Sequence, residues 1–277
     1  MLRVMTWNIR TGGRDRDCTD RRDRIVAVVA AQRPDLLALQ ELRGLDRGGG
    51  LADLAERAGM VPHLARSCFG QPVAVLVRPP LRVLRSGRVR RPFHHATARV
   101  QVATGEGPLT LFSTHLNPYS GGGRRMEADW LAVAVRRTGG ALALLAGDLN
   151  TLEPGVDHTA RLAGLAALYR RRHLRRDGRT VDTRAVARLL DAGLVDLWRH
   201  SGGGESDGLT VPTRHGGAEF AGMRLDYLLA TPALAAAART VRVVRGGDAD
   251  SASDHSRSSP TWRWPPADRS GCRRPLR

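Results

Sequence analysis

Lysine is absent from this 277-residue chain, so all 44 of its basic side chains are arginine, set against 27 acidic ones. The formal net charge of +17 draws in polyanions such as nucleic acids, phospholipid surfaces or phosphorylated metabolites. An arginine- and alanine-rich chain without lysine is also what a GC-rich gene encodes, so the charge alone assigns no partner. Cysteine is scarce: Cys18, Cys68 and Cys272 are too few and too scattered for a disulfide framework or a structural zinc site. No apolar run approaches the roughly 18 residues a membrane span needs, and no charged-then-apolar leader follows Met1. The expectation is a soluble, cytoplasmic, monomeric protein, long enough for one large domain.

Short apolar runs alternate with stretches of helical spacing. Strands are expected at Leu2–Ile9, Asp35–Gln40, Val73–Val77, Ala98–Ala103, Leu109–Thr114, Ala141–Ala146, Arg224–Ala230 and Thr240–Val244. Helices are expected at Arg22–Gln32, Leu51–Ala58, Arg124–Arg137 and Thr183–Ala192. Without a regular strand–helix–strand repeat, and with several strands placed to form hairpins, the pattern favours a mixed or antiparallel α/β layered fold over a doubly wound parallel sheet. Much of the arginine is interleaved with aspartate; Tyr169–Arg176 (YRRRHLRR) is the clearest unbalanced run inside the body of the chain. It is either a solvated face or a phosphate-tracking one.

Polar groups recur where strands end. Asn8 closes the first strand and Glu41 follows the second; His115 ends a third, and Asp148 and Asn150 follow a fourth. Asp226 lies in another strand, and Asp254 and His255 stand together near the C-terminus. Carboxylates crowded at one sheet edge repel one another unless a hard cation neutralises them, and an oxygen-rich set suits magnesium. Histidines beside them add groups that titrate near neutrality. Together these are the parts for hydrolysing a phosphoester.

The stretches TWNI, LQE, STHL, GDLNT, RLDYLL and SDH, in that order from Met5 to His255, resemble the endonuclease/exonuclease/phosphatase superfamily. The resemblance implies a DNase I-like four-layer α/β sandwich, two mixed, mostly antiparallel sheets packed face to face with helices outside. It also implies Mg²⁺- or Mn²⁺-dependent hydrolysis of a phosphoester, with nucleic acid among the substrates. On the matching positions, Glu41 resembles the principal metal ligand, Asn8 a contact to metal-bound water or phosphate, and Asp254 a supporting ligand. Asp148 resembles the residue that aligns or deprotonates the attacking water, oriented by Asn150. Asp226 resembles the partner of His255, and His115 the second histidine, on the phosphate. Arg224 is a candidate to grip phosphate through its two guanidinium arms.

Two features depart from the family pattern. The segment Gln71–Arg82 has no acid to hold His115, so that contact is expected to be missing or supplied from elsewhere. After His255 the family continues into an apolar strand, whereas Ser256–Pro266 reads SRSSPTWRWPP, which is not expected to form a core strand. The division expected is therefore a domain over 1–255 and an atypical basic tail over 256–277, with six arginines against one aspartate. Restoring one base in a GC-rich back-translation turns this stretch into SPVVADVAVAA, so a frameshift accounts for it. The alternative to an enzyme is a basic nucleic-acid-binding protein on a degenerate hydrolase scaffold. Within the enzyme class, the loops around Gly44–Gly50, Tyr119–Arg125 and Glu205–Phe220 would choose the substrate.

Overall fold

The computed structural model describes residues 1–202, 208–216 and 219–262. Two six-stranded sheets stack face to face. Strands β1 (Leu2–Asn8), β2 (Leu36–Gln40), β3 (Val61–Ala65) and β4 (Val73–Val77) belong to the first sheet. The second holds β5 (Val83–Arg88), β6 (Ala96–Thr104), β7 (Gly107–His115), β8 (Leu142–Asp148), β9 (Val195–Asp196) and β10 (Asp226–Ala230). Strands β11 (Ala238–Val244) and β12 (Arg257–Trp262) return to the first, giving orders β11-β12-β1-β2-β4-β3 and β5-β6-β7-β8-β10-β9. Only the β1–β2 and β7–β8 pairs run parallel among the described residues. Parallel neighbours need a crossover, supplied by helices α1 (Arg22–Gln32) and α3 (Gly121–Arg136); α2 (Gly50–Arg57) lies between them in the chain.

Side chains alternate along each strand, and this alternation builds the layers. Val4, Leu36, Ala38, Val75, Val100, Leu111, Leu144 and Leu228 meet between the sheets. Met5, Trp7, Leu37 and Leu39 face outward against Ile25, Val29, Leu51 and Leu54 of α1 and α2. Phe112, Leu145, Tyr227 and Leu229 face outward on the second sheet, against Leu131, Val135, Val186 and Leu189. The expected four layers are present. Helix α1 occupies its expected bounds and stops at Arg33 (φ 46°), just before Pro34, whose ring disfavours helix in the residue it follows.

Helix α3 begins three residues earlier than expected because the Ser120 hydroxyl caps it, accepting from the Gly123 N–H at 3.1 Å. Besides β12, the strands not anticipated are β3, β5 and β9; all three are sheet edges, carry Pro62, His63, Arg85 and Gly87, and lack a clean apolar alternation.

β12 overturns the expectation that the chain beyond Ser256 supplies no core strand. Arg257–Trp262 lies inside the first sheet, antiparallel to both β1 and β11. Trp262 fills the inter-sheet core, and its indole N–H donates to the Leu234 carbonyl at 3.0 Å. The strand forms because both neighbours offer unpaired backbone, and burying Trp262 outweighs a poor local pattern. The misfit is still visible. β12 pairs with β1 at Leu2–Trp262, Arg3–Thr261 and Thr6–Ser258 but not between, where Pro260 offers no N–H and the Ser259 hydroxyl donates instead to the Val4 carbonyl at 2.8 Å. Arg257 is only 4% exposed, and its Nε and Nη1 have no partner among the described residues. Burial holds its guanidinium down to about 10. The guanidinium lies over the Trp7 ring at 5.6 Å but makes no ion pair among the described residues. Exchanging a buried charge so little compensated for an apolar group is favourable, so Arg257→Leu should raise stability by about 1–3 kcal/mol in urea melts; a destabilised variant would refute this account of β12. The tail from 263 onward lies outside the described residues.

Candidate active site

The alternation that builds the core also builds the site. Asn8, His115, Asp148 and Asp226 occupy the same parity as the inward-facing apolar residues of their strands, at the end where those strands stop being apolar. Register aligns three of them: His115 pairs with Asp148 across β7–β8, and Asp148 with Asp226 across β8–β10. Gly147 (φ 144°) permits this, since a Cβ there would stand 1.9 Å from the Thr114 carbonyl oxygen. Beneath the cluster, the Gln40 amide joins the sheets by donating to Ser113 Oγ at 3.1 Å.

The Asn8 amide spans the two sheets, donating to Glu41 Oε1 at 3.0 Å and to Asp148 Oδ2 at 3.1 Å. Glu41 Oε2 accepts from the Thr11 N–H at 3.0 Å and from the Gln71 amide at 2.7 Å. Burial works to raise the Glu41 carboxyl, but the Asn8, Thr11 and Gln71 hydrogen bonds and the His255 charge outweigh it, and Glu41 sits below the usual carboxylate range. Asp148 goes the other way. Burial, with Asp226 and Glu41 adding like charge against His255, pushes it up to about 7. Its Oδ1 accepts from the Asn150 N–H at 2.8 Å, and the Asn150 amide donates to the Leu116 carbonyl at 3.0 Å. Burial and Glu41 likewise raise Asp254, against His255 and Arg10, whose Nε lies 3.6 Å from Asp254 Oδ2.

The two histidines are held in opposite states. His255 Nδ1 is 2.8 Å from Asp226 Oδ2, and Trp7 Nε1 anchors the His255 carbonyl at 2.9 Å. Burial opposes its charge, but Asp226, Asp148 and Asp254 raise it to about 10. His255 is therefore an imidazolium at neutral pH. His115, 3.4 Å from Asp148 through Nε2, is held down to about 3 by burial, His255 and His94, and is neutral. The acid missing after LQE is not replaced: His115 Nδ1 has no partner among the described residues, and the His95 ring stacks on it at 3.9 Å.

Every residue expected in the site except Arg224 therefore joins one connected cluster. Arg224 is corrected. It is buried, its two arms hold Asp196 at 3.0 and 2.6 Å, and it also pairs with Glu153, lying over the Tyr227 ring. Both Nη arms are engaged, and the Nε–H, which has no partner among the described residues, is buried. Residues the sequence did not single out are Thr11 and Gln71 on Glu41, Arg10 on Asp254, and His95 on His115. They act through a backbone N–H, an amide, or a ring stack from loops, which leave no motif. Backbone strain marks the same loops: Arg10, Thr11, Glu41 and Asn150 all have positive φ, between 48° and 61°.

The donor set fits a hard divalent cation. Asn8, Glu41 and Asp254 offer oxygen, and Asp148 and Asp254 are raised by burial and, further, by like charge that a cation would relieve. Ligand atoms of Asp148, Asp226 and His255 also lie within 4.8 Å of one another, and His255 would have to give up its proton to join a metal there.

Among solved structures, the fold resembles an AP endonuclease from Archaeoglobus fulgidus (20% identity, TM-score 0.67, 95% of this chain and 99% of that one). It also resembles the 3′ phosphatase NExo from Neisseria bound to product DNA hairpin (18%, TM-score 0.64, 95% and 100%). A third is an endonuclease/exonuclease/phosphatase family protein from Leptotrichia buccalis C-1013-b (16%, TM-score 0.66, 95% and 100%). At these identities the likeness establishes the DNase I-like fold. Among curated proteins, no relative matches. The model of the Endonuclease/Exonuclease/phosphatase family matches residues 5–255, which span all six motifs and every member of the cluster, and the chain belongs to that family.

Proposed function

We propose that the chain is a Mg²⁺- or Mn²⁺-dependent phosphodiesterase of the nuclease kind. The observation carrying this reading is the opposition of charge states in one cluster: Asp148, raised to about 7, stands between a neutral His115 and an imidazolium His255. Burial, which a cation does not remove, works to hold this carboxyl above the ordinary carboxylate range and makes it the better acceptor of a proton from an attacking water. The Asn150 N–H holds that carboxyl in place. His255, fixed by Asp226, presents positive charge to a phosphoryl group, where charge develops in the transition state. His115 lies on the other side of Asp148 to contact the phosphate or leaving oxygen. Glu41, Asn8 and Asp254 would hold the cation, which when bound polarises a phosphoryl oxygen as a Lewis acid.

The test is hydrolysis of a chromogenic phosphodiester with Mg²⁺ against EDTA. Turnover should need the metal, and Glu41→Ala should lower it by at least about 100-fold, the scale of loss seen when a metal shell is disrupted. Binding of oligonucleotide without metal-dependent turnover would favour the alternative, a nucleic-acid-binding protein on a degenerate scaffold.

A further inference from the structure

The YRRRHLRR run has a definite place in the fold. With the N-terminal end of α3 it walls a groove of about 870 Å³, lined by Tyr119, Arg171, Arg175, Arg176 and Arg184 among others. Of these arginines, Arg184 is spent on buried Asp182, at 2.6 Å. Arg171, Arg175 and Arg176 are exposed and make no ion pair with any described residue. Asp177, also on the wall and near enough to Arg175 to feel its charge, gives its oxygens to the Thr180 hydroxyl and to the Arg179 and Thr180 N–H groups. With four arginines on its wall against Asp177 and Asp182, the groove keeps a net positive charge.

It also holds an open aromatic ring. Tyr119 is 66% exposed although its ring is large and apolar, and Arg172 braces it, with its guanidinium 5.7 Å from the Tyr119 ring and 5.1 Å from that of Tyr169. Tyr119, on the groove wall, is linked to the catalytic cluster through stacked and edge-on rings. Tyr119 meets His94 at 5.5 Å, His94 meets His95 at 4.7 Å, and His95 lies on His115 at 3.9 Å.

Unpaired arginines along a channel with an exposed ring form a platform on which an unpaired base stacks while its backbone is tracked by charge. Paired bases of a duplex have no free face for the ring. We propose that this groove binds a single-stranded stretch of nucleic acid, carrying it from Tyr119 toward His115. The proposal rests on the phosphoesterase reading above for the identity of the strand as substrate.

The test is fluorescence anisotropy with a short labelled oligothymidylate in EDTA, where no turnover intervenes. The triple variant Arg171→Gln, Arg175→Gln, Arg176→Gln should bind about 10- to 100-fold more weakly at low salt, and the slope of log affinity against log salt should fall by about 2, near 0.7 per lost single-strand phosphate contact. Tyr119→Ala should weaken binding without changing that slope. A control removing the same charge from the exposed β5 edge and the turn before it, Arg82→Gln, Arg85→Gln, Arg88→Gln, should leave both nearly intact. Equal losses in both triple variants, unchanged binding in the groove variant, or an equal loss on a blunt duplex would overturn the proposal. So would a groove variant that loses phosphoinositide vesicles while keeping the oligonucleotide. Hydrolysis of the small diester by the unaltered chain, measured separately, bears on the phosphoesterase reading and not on the groove.

Discussion

Asp226→Asn should lower phosphodiester turnover by about 10³- to 10⁴-fold while leaving the fold intact, the scale seen when the carboxylate behind a catalytic histidine is made an amide. In the proposed mechanism Asp226 is a positioning residue, acting through His255, whose Nδ1 lies 2.8 Å from its carboxylate. Burial is the largest influence on His255 and disfavours its charge; Asp226 is the largest influence opposing it. The amide preserves shape but removes that charge, so burial should prevail over Asp148 and Asp254 and leave His255 neutral at pH 7. The sign on pH follows. With His255 raised to about 10, the unaltered enzyme keeps its imidazolium through the neutral range. In the variant the charged form returns only as pH falls below the ordinary histidine value of 6.5, so residual activity should climb toward acid.

Stability carries the same signature. The His255–Asp226 contribution is complete below pH 6.5 and is lost as pH rises through about 10, and the variant should lack that alkaline decline. Imidazole NMR titration of both proteins reads the protonation directly. A variant with turnover within about tenfold of the original and the same pH profile would remove Asp226 from the mechanism.

The largest expected loss of stability is at Arg224. Its guanidinium is 4% exposed and joins Asp196, Glu153 and the Tyr227 ring. Asp196 also caps the following helix by accepting from the Trp198 N–H at 3.1 Å, and Glu153 pairs with Arg199 at 3.0 Å. One side chain thus ties β9, β10 and the loop after Asn150 together. Arg224→Met keeps the length but leaves Asp196 without its fork and Glu153 half-paired, which should cost about 3–5 kcal/mol. For a chain of this size that lowers the melting temperature by roughly 10 °C. Arg224→Lys should recover little, because an ammonium cannot hold both oxygens of Asp196 at once. An arginine gripping substrate would behave oppositely, with a raised KM and an unchanged melt. That outcome would restore the phosphate-binding role.

Much of the site was legible because its residues carry short-range signals. A strand that stops being apolar at Asn8, His115 or Asp148 announces a change of environment within a few residues, and the order of six such motifs is hard to produce by chance. Arg224 was misread for the same reason. Its position beside Asp226 is local information, whereas its partners Asp196 and Glu153 are far along the chain. Gln71, Thr11 and His95 gave no signal at all, since an amide, a backbone N–H and a ring acquire their roles only from what lies across from them.

β12 is the sharpest division between the two kinds of information. Read locally, Arg-Ser-Ser-Pro-Thr-Trp has neither the alternation nor the donors of an inner strand. In the folded chain it is one, because β1 and β11 present backbone that must be satisfied and a core space that Trp262 fills. Strand periodicity, the chemistry placed at strand ends and hence the family follow from the order of residues along the chain. Tertiary structure alone decided which strands lie in register, which charges are buried together and therefore which histidine is an imidazolium, because burial and Coulomb interaction depend on distance in space and not along the chain.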